Sequence, residues 1–196
     1  RCAWFTNNVT INNTGHGTIE GSGSGDGIYI GNPTALAGSL APSSGNGTVN
    51  NDATIDVNGD GVFVNVTGTA TVNNQLNGNI ISGKDGIHIG GQVLSNPAPI
   101  AGNAVVTNDG KIDAGGNGVY VFALQGGSIT NNATGSILAD GNGIQVGTTI
   151  SGIPTPSVGA YDITNYGNIG KSGDAVGGVG IQSFTTGNTT IVNDGA

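Results

Sequence analysis

Few residues in this chain have chemistry to offer, and most of those recur at fixed places. Asp26, Asp60 and Asp85 each stand directly before a glycine that opens a Gly-aliphatic-x-aliphatic segment, and Asn117 and Asn142 take that place further on. Repeated carboxylates supply hard oxygen ligands whose mutual repulsion a cation would relieve, so Asp26, Asp60 and Asp85 are candidate calcium ligands. They lack the paired glycines of the calcium-binding nonapeptide, and turn closure is the role expected of them. Between the paired aliphatics of the same segments sit Tyr29, Phe63, His88, Tyr120, Gln145 and Gln182. Rings repeated in this way can stack on sugars or form the apolar centre of a protein interface, which makes Tyr29, Phe63, His88 and Tyr120 candidate ligand-binding residues. The competing expectation is that the long segments following this position fold back over the rings.

Catalysis has little to work with. Polysaccharide cleavage needs clustered acids with a positioned Arg, Lys or His, whereas His16 and His88 fall in different repeats and the three lysines lie in dispersed turns. No nucleophile and base are paired. We expect no enzyme activity and no cofactor. A net charge of −8, with four basic residues against twelve acidic ones, argues against nucleic acid as a partner. Cys2 is the single cysteine, so neither a disulfide framework nor a thiolate metal site is available. No apolar run is long enough to span a membrane, and any export signal or anchor is expected outside this sequence.

What must position these residues is a repeat. An aliphatic residue followed two places later by asparagine recurs along the chain, at Ile11/Asn13, Val49/Asn51, Val72/Asn74, Val106/Asn108, Ile129/Asn131, Ile163/Asn165 and Ile191/Asn193. A second aliphatic follows after six or eight residues, at Ile19, Ile55, Ile80, Ile112, Ile137 and Ile169. A glycine-rich turn then leads to the third segment, as in Gly61-Val62-Phe63-Val64 and Gly118-Val119-Tyr120-Val121. Three short strands per repeat, too small to bury their aliphatics alone, point to coils stacked on one another.

The fold class is therefore all-β: a right-handed, single-stranded parallel β-helix with three faces and about six to seven coils, forming one domain over residues 1–196. Like residues stack in rows, with the aliphatics inside and Asn13, Asn51, Asn74, Asn108, Asn131, Asn165 and Asn193 as a structural ladder at a corner. The turns are rich in Gly, Asn and Asp, read here as positions needing positive φ or side-chain bonds to the backbone. Composition agrees: 39 glycines, no methionine and only 8% charged residues suit ranks in which like charges would otherwise face each other. Extra length enters after the third strand of alternate coils, giving three protruding loops at 31–47, 90–104 and 147–160. These hold all six prolines, which stiffen a loop and keep it from adding strands. Trp4 and Phe5 suggest an N-terminal cap.

Two further patterns are weaker. One threonine per first strand, as at Thr48 and Thr71, is too few for an ice-binding face, and sequons such as Asn65-Val66-Thr67 arise readily by chance in a chain rich in Asn and Thr.

The run Val106-Thr107-Asn108-Asp109-Gly110-Lys111-Ile112, continued by Gly116-Asn117-Gly118-Val119-Tyr120-Val121, resembles the passenger repeats of type V autotransporter adhesins. The resemblance covers about Val9 to Ala196. Filamentous haemagglutinins are similar only over the Asn-x-Gly-x-Ile part. It implies an extracellular location on a bacterial cell surface, a translocator barrel elsewhere, and a role in cell adhesion or cell-cell association. The partner would be a glycan or protein on a host or neighbouring cell. The alternative is a structural subunit of an extracellular filament or sheath, assembling end to end.

Overall fold

The computed structural model describes residues 2–3 (as backbone), 7–15, 17–31, 42–91, 102–150, 152–170 and 177–195. Trp4, Phe5, His16 and Lys171 lie outside them, as do positions 32–41 and 92–101 of the two earlier loops. Among the described residues there is no helix. The strands form three parallel sheets of seven, seven and six strands, plus one two-stranded sheet.

The first sheet holds Val9–Asn13, Gly47–Asn51, Thr69–Asn74, Asn103–Asn108, Gly127–Asn131, Tyr161–Asn165 and Thr189–Asn193. The second holds Thr18–Gly21, Thr54–Val57, Asn79–Ser82, Lys111–Ala114, Ser136–Ala139 and Asn168–Ile169. The third holds Cys2–Ala3, Ile28–Ile30, Val62–Val64, Ile87–Gly90, Val119–Phe122, Ile144–Val146 and Ile181–Ser183. Within each sheet the order follows the chain, and each strand pairs with its counterpart one coil away. This is a three-faced parallel β-helix.

Register makes the rows continuous. Ile11 pairs with Val49, Val49 with Val72, Val72 with Val106, Val106 with Ile129, Ile129 with Ile163 and Ile163 with Ile191. The second sheet aligns Ile19, Ile55, Ile80, Ile112, Ile137 and Ile169 in the same manner. Alternation along each strand sends these side chains inward, and those from Val49 to Ile163 and from Ile55 to Ile137 are buried. One apolar core runs along the rod.

The glycines before the third strands have a different cause from the one expected. Gly27, Gly61, Gly86, Gly118 and Gly143 do not adopt positive φ. They are glycine because a Cβ would collide with the Cγ2 of Ile55, Ile80, Ile112, Ile137 and Ile169 respectively, and with a backbone carbonyl of the next coil. Positive φ is required instead at another corner, where Gly45, Gly126 and Gly159 have φ of 93°, 92° and 94°. Gly118→Ala tests the packing reading. Its Cβ would also come within 2.7 Å of the Gly143 carbonyl oxygen, so a loss of about 1–3 kcal/mol is expected in urea unfolding.

One interior position breaks the pattern of small residues. Gly47, Ala70, Ala104 and Gly127 line the start of the first sheet, but Tyr161 follows them in the same register and is fully buried. Burial pushes its phenol up to about 12, opposed by the Ser157 hydroxyl. Among the described residues the buried tyrosine hydroxyl has no hydrogen-bond partner. Tyr161→Phe is therefore expected to change stability by less than about 1 kcal/mol, in the stabilising direction, because no bond is lost and a buried polar group is removed. Equilibrium unfolding of the two proteins decides it.

The loops correct a second expectation. Prolines in 147–160 do not exclude strands: Thr148–Ile150 and Ile153–Thr155 form an antiparallel hairpin, with Thr149 paired to Pro154. A two-stranded ribbon is all edge, and there a proline lacking its N–H is tolerated.

Candidate functional site

The two candidate rows come together on the outer face of the third sheet. Residues there point away from the core at the middle of each strand, so Tyr29, Phe63, His88, Tyr120, Gln145 and Gln182 lie in register along one column. Their rings contact one another. Tyr29 and Phe63 stack with centroids 4.9 Å apart and planes 9° from parallel. Phe63 meets His88 at 4.8 Å and 56°, and His88 meets Tyr120 edge-on at 4.7 Å and 90°. A parallel ladder spaces residues at about 4.8 Å, which is also a favourable distance between ring centroids. The column therefore spends ring faces on itself. Phe63 is only 4% exposed and Tyr120 only 7%, which leaves little ring surface for an incoming sugar.

The acidic row runs beside the column and is tied to the backbone. Asp26 Oδ1 accepts from the Asp60 amide at 3.0 Å, and Asp60 Oδ1 accepts from the Asp85 amide at 3.1 Å. Asp85 Oδ1 accepts from both the amide and the side-chain Nδ2 of Asn117, at 2.8 and 3.0 Å. Asn117 and Asn142 continue the series to Asn142 and Val179. Each side chain thus holds the turn of the next coil, whether or not it carries charge.

In the middle of this series a cluster forms that the sequence analysis did not assemble. His88 Nδ1 lies 3.2 Å from Asp60 Oδ2 and 3.3 Å from Asp85 Oδ2. Both carboxylates and the imidazole are largely shielded from water, with 11%, 17% and 19% of their side chains exposed. Burial alone would lower the His88 pKa. Hydrogen bonding and attraction from Asp60 and Asp85 outweigh it and raise the pKa from 6.5 to about 9. Burial likewise opposes ionisation of Asp85, but its bonds to His88 and Asn117 hold its pKa below the usual 3.8. Asp26, one coil away, is pushed up by burial, against the pull of the Asp60 amide. Lys84 and His88 attract it more weakly.

The sign of the pH effect follows. A histidine whose folded pKa is raised lends stability that is complete below its unfolded value of 6.5 and is lost as pH climbs through 9. In EDTA, urea unfolding is expected to show a loss of roughly 3 kcal/mol between about pH 6 and about pH 9.5. His88→Gln should remove most of that slope.

A second feature lies at the corner joining the third sheet to the first. Three connections across it are long, running from Ile30 to Gly47, Gly90 to Asn103 and Val146 to Tyr161, while Val64 to Thr69 and Phe122 to Gly127 are short. Long and short alternate coil by coil, and each leaves the third sheet and enters the first at this corner. The hairpin in the last of them presents Ile153, which is 68% exposed.

Sequence reasoning located the inner asparagine row, and every step of it is bonded: Nδ2 of Asn13, Asn51, Asn74, Asn108, Asn131 and Asn165 each donates to Oδ1 of the next asparagine at 2.7–2.8 Å. It missed a shorter outer row, Asn12, Asn50 and Asn73, whose amides bond in the opposite sense along the rod. The tandem pairs Asn12-Asn13, Asn50-Asn51 and Asn73-Asn74 were the available signal, since neighbours on a strand face opposite sides. No family model matches the chain, and neither does any curated protein or any solved structure.

Proposed function

We propose that this chain is a stalk segment of a surface-exposed bacterial adhesin of the autotransporter passenger type. It holds the connections 31–47, 90–104 and 147–160 away from the cell to engage a glycan or protein on a host or neighbouring cell. The observation carrying this reading is the alternation of long and short connections at one corner of a stiff rod. Two coils close with the short version, from Val64 to Thr69 and from Phe122 to Gly127, and the additional length on alternate coils is assigned a role other than winding the helix. A row of connections along one edge suits a multivalent partner, for which weak contacts add through effective concentration. Because ring faces in the column are turned to each other, recognition is assigned to the connections.

The test replaces 91–102 with a connection as short as that between Val64 and Thr69, and separately removes the hairpin strands 148–155. Each variant is assayed on a glycan array and on whole cells, with far-ultraviolet circular dichroism as the check on folding. Loss of binding by folded variants supports the reading. Unchanged binding, or filaments in electron micrographs that disappear with neither deletion, would overturn it in favour of a structural filament subunit.

A further inference from the structure

We propose that Asp60, Asp85 and His88 form a binding site for a divalent first-row transition ion of the zinc class. The proposal does not depend on the adhesin reading. His88 Nδ1 and one oxygen from each carboxylate lie within 4.8 Å of one another, and the two separations from the nitrogen are 3.2 and 3.3 Å. Bonds of about 2.0 Å to a tetrahedral zinc ion place neighbouring ligand atoms about 3.3 Å apart. Three protein ligands with the fourth position left to water is the pattern of an open zinc site. The partial exposure of all three side chains gives the ion and that water a way in.

The surroundings hold the ligands in place. Asp60 and Asp85 use their Oδ1 atoms on the backbone of the next coil, which leaves Oδ2 of each directed at the same point. The imidazole is held between Phe63 and Tyr120. Such outer contacts fix ligand orientation and typically contribute a tenfold to hundredfold gain in affinity. Charge favours a dication as well. Two carboxylates beside a neutral imidazole carry two negative charges, which a zinc ion cancels and a proton on His88 only halves. The donor set separates this site from the calcium for which Asp26, Asp60 and Asp85 are candidate ligands by sequence. Calcium takes six to eight oxygens, whereas a nitrogen donor in a three-ligand set suits zinc, nickel or copper. Asp26 is not part of the cluster. Among the described residues, the ligand atoms that come together are those of Asp60, Asp85 and His88 alone.

Binding here would pin the strand Ile87–Gly90 to the two neighbouring turns, at the base of the connection 90–104. Zinc titration of the EDTA-stripped full chain by calorimetry, at a fixed pH near 8, is the experiment. One saturable equivalent is expected, together with a rise in the thermal midpoint. Affinity should fall at least roughly tenfold in His88→Gln and in Asp85→Asn, and should persist in the double variant Cys2→Ser/His16→Gln, which removes the other soft donors. Cobalt in place of zinc should give the strong visible absorption of a four-coordinate ion, lost in His88→Gln. Circular dichroism confirms that each variant is folded, and His88→Gln alone decides if Asp85→Asn is not. Absence of saturable zinc binding, equal affinity in His88→Gln, or loss only in Cys2→Ser/His16→Gln would overturn the proposal and leave the cluster an ion pair.

Discussion

Replacing Asn108 by alanine is expected to destabilise the protein by about 3–5 kcal/mol, more than an exposed asparagine could contribute. Asn108 sits mid-ladder and is fully buried. It accepts from Asn74 at 2.8 Å and donates to Asn131 at 2.7 Å. Its removal leaves Asn131 Oδ1 without that donor, in a place water does not reach. An orphaned buried polar group costs about 1–3 kcal/mol, and the vacated volume adds a cavity cost. Asn74 loses less, because its Nδ2 also approaches the carbonyls of Gly78 and Lys111. Asn108→Asp sharpens the test. A carboxylate can accept from Asn74 but cannot donate to Asn131, so two oxygens would confront each other. Protonation restores a donor, and this variant should recover part of its lost stability on acidification. Urea unfolding at neutral and mildly acidic pH measures both effects, and a flat response in Asn108→Asp would show that the ladder does not carry the energy assigned to it.

The second large effect concerns the aliphatic rows. Ile137 is fully buried, with Ile112 on one side and Ile169 on the other, and Ile137→Ala should cost about 2–5 kcal/mol. The upper half of that range is expected, because the flanking strands are held by their own ladders and cannot close over the void. The interlock with Gly118 makes the prediction specific. Since the Cβ of Gly118→Ala would collide with Cγ2 of Ile137, removing that methyl relieves the clash. Gly118→Ala and Ile137→Ala combined should therefore cost clearly less than the sum of the two, by about 1 kcal/mol or more. The Gly143 carbonyl still crowds the new methyl, so the relief is partial. Strict additivity would mean that the glycine row has another cause.

Much of this architecture was legible because a solenoid converts register into sequence spacing. Residues such as Val72 and Val106 are neighbours in space and 34 apart in the chain, yet period-2 alternation and the recurring asparagine were enough to align them. The loops were visible as interruptions of that spacing. The packing cause of the third-strand glycines was not, because collision with an isoleucine in the adjoining coil depends on how the second and third sheets meet at their corner. Nor was the hairpin at Thr148–Thr155, where local pairing outweighed the usual meaning of proline. The cluster at His88 escaped for a related reason. The candidate calcium row and the candidate ring column were each read down their own file, and only the turn geometry between Asp85 and His88 brings a carboxylate of one file onto the imidazole of the other. A histidine three residues after an aspartate, in the coil following another aspartate at the same place, was the available clue.

The claim beneath all of this is that distance along the rod counts coils and not residues. Spin labels at outward first-sheet positions measure it, in protein with Cys2 replaced by serine. Thr48 and Ser128 are three coils apart by register, and Thr10 and Asp162 are five. At about 4.8 Å per coil the pairs stand near 14 and 24 Å, an increment of about 10 Å. Pulsed electron paramagnetic resonance giving narrow distributions with that increment is the expected result. Broad distributions, or two pairs at the same separation, would contradict it.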